Sequence, residues 1–585
     1  MRQLSWKIGG QQGEGIESTG EIFSAGFHKL GYFLNAYRHF SSRIKGGHTN
    51  IKVRISTKPI YTINDDLDIL IAFDQETIDI NYRELNKNGF ILVDLKGSPK
   101  KPADCPARFY PIPFTKIAMN LGNVVMKNMV AIGATCAILD LQPSMFKPII
   151  EDMFQHKGNT IIQRNVKALQ EGYEYVQREI HPLQTIPLAP PKKEQKMYLT
   201  GNEAIGLGTI AAGCRLMFAY PITPASDIME YLIKKLPKFG GTVIQTEDEI
   251  AACTMAIGAN YGGVRAFTAS SGPGLSLMME SIGLAGMTET PVVIVNTQRG
   301  GPSTGLPTKQ EHSDVFAMIF GNHGEIPKVV IAPSTVEEAF YDTVEAFNIA
   351  EEYQIPVILL TDLQLSLGKQ TTKPFKLERT EIRRGKITEE MEGEKDEKNK
   401  SYFKRYELVP SGISNRVFPG TRGGIHHVTG VEHDETGRPV ESALNRKKQM
   451  DKRMTKLQTF TIQSPFVKKI YGEHPDLLLI GFNSTRGAIE EATERLISEG
   501  YVVNHLHIRL LHPFPKEEIK PYMEAAKQII IIEQNATGQL KNLIHMHLGF
   551  FDRTFSINKY DGTPLLPNEL FHRIKGMIKT KKEET

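Results

Sequence analysis

Phe267-Thr268-Ala269-Ser270-Ser271-Gly272-Pro273-Gly274 reads as a β-strand that runs out into small residues at a turn. It is one of a series. Strand-like runs at 217–220, 242–245, 265–269, 292–296, 328–331 and 357–360 alternate with helical ones. That alternation predicts a parallel sheet with crossover helices. In such sheets ligands bind beyond the carboxyl ends of the strands. The residues closing these runs are therefore the candidates for chemistry.

Three such ends carry usable groups. Tyr220-Pro221-Ile222-Thr223-Pro224 follows the first strand. Thr223 is placed to cap the next helix, and the same hydroxyl is placed to hold a substrate carboxylate or carbonyl. Ser270 closes the strand quoted first. Asn296-Thr297-Gln298-Arg299-Gly300-Gly301-Pro302-Ser303-Thr304-Gly305 closes another, and Arg299 offers a forked donor for a carboxylate. Taken singly, each glycine-rich end also reads as a turn without a ligand. Gln245-Thr246-Glu247-Asp248-Glu249-Ile250-Ala251-Ala252 puts three acids at a helix start. Dipole stabilisation accounts for Glu247 and Asp248. Glu249 leads into Ile250, Met255 and Ile257, with no Lys or Arg beside it in sequence. It is expected to be partly buried and functional.

Outward from this block, the chain divides into four parts. Residues 1–190 form an α/β domain, with a strand at 4–8, a glycine-rich turn at 9–15, a helix at 16–30 and buried parallel strands at 68–73 and 90–95. Gly9-Gly10-x-x-Gly13-x-Gly15 does not keep the spacing of a dinucleotide loop, so a tight strand-to-helix turn is expected. Ser41-Ser42-Arg43-Ile44-Lys45-Gly46-Gly47-His48 reads as a basic turn whose cations could meet a carboxylate. The parallel-sheet block spans 191–372. Residues 373–460 are charged, then rich in Gly and His, then basic and helical. Little core is legible there, and an excursion over the surface or over a partner is expected. Residues 461–585 form a small α/β domain with strands at 477–481, 501–507 and 528–533.

The net charge of +4 is small for 585 residues and gives no sign of nucleic-acid binding. The clusters Arg446-Lys447-Lys448 and Lys579-Thr580-Lys581-Lys582 read as solvated faces. Cys105, Cys136, Cys214 and Cys253 show no C-x-x-C spacing, so no iron–sulfur or zinc site is legible, and reduced buried thiols suit a cytoplasmic protein. His426, His427 and His433 match no standard metal spacing. The amino-terminal residues lack the apolar core of a signal peptide, and no apolar run is long enough to span a membrane.

The Tyr-Pro-Ile-Thr-Pro run at 220–224, the Glu-Ile-Ala-Ala helix start and the segment 298–310 together resemble the alpha subunits of 2-oxoacid:ferredoxin oxidoreductases with a γ domain fused in front. The resemblance covers nearly the whole chain. It implies a multidomain α/β fold with an N-terminal γ-type domain, a thiamine-diphosphate pyrimidine-binding-type parallel-sheet domain and a transketolase C-terminal-like domain. The last is carried by Gly481, Pro513-Phe514-Pro515 and Glu533-Gln534-Asn535. It also implies roles. Glu249 would hydrogen-bond the cofactor's aminopyrimidine, with Ser270 beside it. Thr223 and Arg299 would hold the substrate, and Lys45 or Arg43 would reach the same pocket. No Gly-Asp-Gly segment with a downstream Asn is present, nor a cysteine cluster. In the resembling family the Mg2+-diphosphate site and a [4Fe–4S] cluster lie in a separate β subunit, two alpha and two beta chains forming a heterotetramer. The implied reaction is oxidative decarboxylation of a 2-oxoacid with coenzyme A and ferredoxin. The loop 303–309 and the runs 416–420 and 430–437 resemble the 2-oxoglutarate type, and Lys309 is a third candidate for a distal carboxylate. Pyruvate is the nearest rival substrate. A non-catalytic nucleotide-binding protein is the rival from another class.

Overall fold

The computed structural model describes residues 3–40, 47–389, 394–395, 401–550 and 552–584. The chain forms two compact units, neither continuous in sequence: Met1–Leu199 with Leu367–Pro374 and Leu566–Thr585, and Thr200–Ser366 with Phe375–Leu565.

In the first unit, eight strands lie in the order Arg108–Ile112, Leu85–Asp94, Leu67–Ala72, Gln3–Gln11, His48–Ser56, Phe33–His39, Lys369–Thr372 and Met197–Thr200. Gln3–Gln11 is central, parallel to Leu67–Ala72 and antiparallel to His48–Ser56. Helices Ile16–Leu30, Lys127–Leu139 and Asn159–Glu179 supply the apolar partners, and Trp6 stacks on Phe23 with centroids 4.0 Å apart. The turn after the first strand is filled from within the chain. One Glu14 carboxylate oxygen accepts from Gln11 N at 3.0 Å, and the other pairs with Lys127 Nζ at 2.6 Å. Glu14 thereby ties the turn both to the end of the first strand and to helix Lys127–Leu139. The last helix, Pro567–Glu584, returns to this unit. Its first N–H groups, on Asn568 and Glu569, donate to the Asp65 carboxylate at 2.7 and 3.0 Å, where the helix dipole favours an acid.

The second unit holds the expected parallel sheet. Its order is Leu510–His512, Val329–Ile331, Pro356–Asp362, Val292–Gln298, Ala266–Ser270, Leu216–Ala219 and Thr242–Gln245. Only Leu510–His512, contributed by the C-terminal part, runs antiparallel. A second sheet orders Phe466–Lys469, Val503–Ile508, Leu477–Phe482, Gln528–Glu533 and Thr554–Asn558. One apolar core joins the two, running from Met278 and Ile294 to Ile480 and Ile531.

The connecting segment departs from expectation. Phe403, Tyr406 and Val417 are buried, and the basic helix Ala443–Gln458 buries Lys452, Arg453 and Lys456. Lys452 and Lys456 pair with fully buried Glu289 at 2.5 and 2.6 Å. Arg416 pairs with Glu351 at 3.0 Å, a carboxylate that also receives Arg265 at 2.8 Å. Only the Arg446 and Lys447 side of the helix is solvated. The segment is a bolted part of the second unit, held by buried charge where apolar contact is scarce. Among the described residues no helix is long and apolar enough to cross a membrane.

Candidate functional site

The site stands at the carboxyl ends of the parallel strands in the second unit. Register sets Ser270 beside Asn296, and Gln298 beside Asp362. Helix Glu249–Tyr261 begins with Asp248 at its N-cap, whose side chain accepts from Ala251 N at 2.7 Å. That cap fixes the first turn and turns Glu249 inward, where it is 6% exposed. Its neighbours inside are Ala252, Cys253 and Ala256 on the buried face, whereas Ile250 and Met255 point outward. Among the described residues no hydrogen bond or ion pair engages the Glu249 carboxyl group.

Ser270 lies next to it. A β-carbon at Gly274 would sit 2.0 Å from Ser270 Oγ and 2.6 Å from Glu249 Oε1, so only glycine leaves both groups in place. Ser270 Oγ, Ser271 Oγ and Thr268 Oγ1 are all buried and have no hydrogen-bond partner among the described residues. Buried hydroxyls without partners are costly, and several together mark a place built to receive polar atoms. Ser271 stands at the N-cap of helix Gly272–Met287 without capping it.

Arg299 and Thr223 are brought together. Arg299 Nη1 donates to the Thr223 carbonyl at 2.6 Å, and Nη2 to the Thr304 carbonyl at 3.2 Å. Two arms of the fork thus hold the loops at 220–225 and 300–309, while buried Nε has no partner among the described residues. Thr223 does not cap: helix Ser226–Lys235 starts from Ala225, two residues further on. Its hydroxyl has no partner among the described residues. Arg43 and Lys45 lie outside the described residues.

Asp314, which sequence reasoning passed over, sits within this group. It accepts from Asn296 Nδ2 at 3.1 Å, and a β-carbon at Gly272 would come 2.8 Å from its Oδ2. Burial pushes its carboxyl above the ordinary range, against the opposing pull of Asn296 and Arg299. Its only sequence signal is its place just after the strand-end loop. Cys253, four residues along the Glu249 helix, is no nucleophile, since burial pushes its thiol up to about 12. His433 is spent on the Val431 carbonyl at 3.0 Å and on the Tyr406 ring.

Residues 207–452 match the family described as pyruvate flavodoxin/ferredoxin oxidoreductase, thiamine-diphosphate-binding. Residues 5–175 match pyruvate ferredoxin/flavodoxin oxidoreductase, and 475–569 match core domain II of pyruvate:ferredoxin oxidoreductase. The 2-oxoacid:ferredoxin oxidoreductase subunit alpha of a Sulfolobus species is 34% identical, over 99% of this chain and 97% of that protein. The chain belongs to the 2-oxoacid:ferredoxin oxidoreductase alpha subunits. The 2-oxoglutarate synthase subunit KorA of Methanothermobacter marburgensis is 35% identical over 66% of this chain and 99% of its own length. A solved structure of 2-oxoglutarate:ferredoxin oxidoreductase from Magnetococcus marinus, with 2-oxoglutarate, coenzyme A and succinyl-CoA bound, is 33% identical. It superposes with a TM-score of 0.90 over 98% of this chain and 99% of that one. Thr223, Glu249, Ser270 and Arg299 all lie inside the 207–452 match.

Proposed function

We propose that the chain is the alpha half of an enzyme that oxidatively decarboxylates 2-oxoglutarate to succinyl-CoA and CO2, passing the electrons to ferredoxin. The observation that carries this is the group formed by the Glu249 carboxyl and the Ser270 hydroxyl, buried against Gly274 and without hydrogen-bond partners among the described residues, at the strand ends of a thiamine-diphosphate-binding region. The substrate choice is supported by the 2-oxoglutarate synthase subunits among the relatives and by the Magnetococcus marinus enzyme.

Thiamine diphosphate, when bound, supplies the electron sink that lets the bond to the substrate carboxylate break. The chain's residues prepare that chemistry. Glu249 would set its carboxyl against a ring nitrogen of the aminopyrimidine and share a proton with it, so that the exocyclic nitrogen can serve as a base. Ser270 Oγ, beside the Glu249 carboxyl, would help to hold the same ring. The Thr223 hydroxyl and Arg299 Nε take the oxo and carboxylate oxygens, and Lys45, Arg43 or Lys309 meets the distal carboxylate. Arg299 also orients the Thr223 loop through its backbone bond, so one side chain couples substrate binding to loop position. The Mg2+-diphosphate site and the [4Fe–4S] cluster belong to a beta subunit, in a cytoplasmic heterotetramer of two alpha and two beta chains.

The test is coenzyme-A-dependent ferredoxin reduction by this chain purified with its beta subunit, on 2-oxoglutarate and on pyruvate. A kcat/KM at least tenfold higher on 2-oxoglutarate is expected. A preference for pyruvate would overturn the substrate, and no turnover on either would overturn the reaction. This group has its own test. Gly274→Ala is expected to weaken thiamine diphosphate binding tenfold or more in titrations of the assembled enzyme, because the added methyl collides with Ser270 Oγ and the Glu249 carboxyl and displaces both. Unchanged affinity would remove the cofactor from this group.

A further inference from the structure

The outer face of the Glu249 helix is as unusual as its inner one. Ile250 and Met255 stand on it, and Leu277 stands on the adjoining Gly272–Met287 helix. Gly258 and Gly283 lie on the same two helices, with open space where a side chain would be. The connecting segment continues this face. A β-carbon at Gly430 would touch Leu284 Cδ1 at 3.2 Å, the Phe418 ring covers Gly263, and the His426 ring meets the Tyr261 ring edge-on at 6.2 Å. From there the segment presents Ile425, Val428 and Val431 outward, with Leu444 at the start of the helix that follows. These seven apolar side chains are each between 40% and 69% exposed.

The loop carrying them is held firmly. The Ile425 carbonyl accepts from Phe403 N at 2.7 Å, and Arg453 pairs with Glu432, next to Val431, at 2.6 Å. Asn445 Nδ2 ties the start of the helix to the His433 carbonyl at 2.8 Å. A fixed loop with outward apolar side chains loses little conformational freedom when a partner covers it. Seven apolar side chains exposed to this degree are a substantial contribution to the about 800 Å2 that each partner commits to a stable interface. Patches of this extent on soluble proteins mark interaction sites.

We infer that residues 425–431 and Leu444 dock the second catalytic subunit, extending the contact that begins at the outer face of the Glu249 helix. The occupant follows from continuity. Glu249 stands in the first turn of that helix, and on the proposed function its site is completed by a beta subunit, so the chain that completes the site meets the face running away from it. The inference rests on the proposed function for the identity of that subunit.

The experiment measures binding of the purified beta subunit to the tagged full-length chain, with thermal melting of each variant alongside. Ile425→Glu combined with Val431→Glu is expected to weaken binding tenfold or more without lowering the melting temperature, and Leu444→Ser to weaken it to a smaller extent. Leu377→Glu, at an equally exposed apolar residue elsewhere, is expected to change nothing. Binding within twofold of wild type in both test variants would overturn the inference. So would loss of self-association with subunit binding intact, or an equal loss in Leu377→Glu. If wild type binds and turns over 2-oxoglutarate while the variants bind normally, the inference alone fails. If wild type binds no beta subunit, the proposed function fails with it.

Discussion

Glu249→Gln is expected to lower turnover by about two orders of magnitude or more while leaving the fold, the subunit contact and cofactor affinity close to wild type. The size is that of a lost acid–base contribution, commonly about 10^2–10^4 in rate. The fold is spared because the carboxyl group holds nothing together. It has no hydrogen bond or ion pair among the described residues, and the cap that starts its helix is Asp248. Glutamine keeps the length and the shape against Ala252, Cys253 and Gly274, so packing is unchanged. What it loses is the ability to exchange a proton with a ring nitrogen. The check is steady-state turnover at saturating 2-oxoglutarate and coenzyme A, with a cofactor titration and a melting curve on the same preparation. Turnover within a few-fold of wild type at unchanged cofactor affinity would sink the role. A collapse of affinity with turnover intact in the loaded enzyme would make Glu249 an anchor.

Much of this pocket is legible from sequence because parallel sheets put their strand ends in one place. Thr223, Ser270 and Arg299 are far apart in the chain, yet each closes a strand, and the sheet order sets those strands side by side. Glu249 is legible for a partly different reason from the one its neighbours suggest. Ile250 and Met255 read as burying it but face outward, and the small residues Ala252, Cys253 and Ala256 make its inner wall. A helix buried through alanines shows little apolar periodicity, so its two faces cannot be told apart from the string alone. Asp314 is illegible because its burial comes from packing against Gly272 and Asn296, which only the folded sheet provides.

The connecting segment is the larger departure, and it follows from a pattern written in charge. Gln449, Lys452, Arg453 and Lys456 recur at helical spacing, the rhythm of a buried face, but three of the four are cations. Charge runs are ordinarily solvated, and only an acid waiting elsewhere reverses that expectation. Here the acids are Glu289, more than a hundred residues upstream, and Glu432.

Glu289→Gln is the second large expected effect. Burial by itself would raise the Glu289 carboxyl. Lys452, Lys456 and Arg405 reverse this and hold it well below the ordinary carboxylate range. Burial pushes Lys456 down to about 7, with Glu289 holding it up against that pull. Removing the anion leaves two ammonium groups buried with no counter-charge, a loss of about 3–5 kcal/mol for a broken buried pair. That corresponds to a local opening more frequent by about 100-fold or more, with 401–458 the segment released. Limited proteolysis within it should accelerate accordingly. The pH dependence carries a sign. In the variant the folded lysines favour the neutral form, whereas the unfolded chain keeps its protons up to the ordinary value of 10.5. The unfolded state then binds more protons, so stability rises with pH and the deficit shrinks from pH 7 toward 10. In the wild type the carboxyl's contribution is present above its ordinary value of 4.5 and is lost only as the pH falls through the depressed folded value. Replacing all three groups together, as Glu289→Leu with Lys452→Met and Lys456→Met, should recover most of the loss, because an apolar trio has no charge to desolvate. If the single variant were cleaved at the wild-type rate, the buried charges would not be what holds the segment, and the apolar contacts of Phe403, Tyr406 and Val417 would have to suffice.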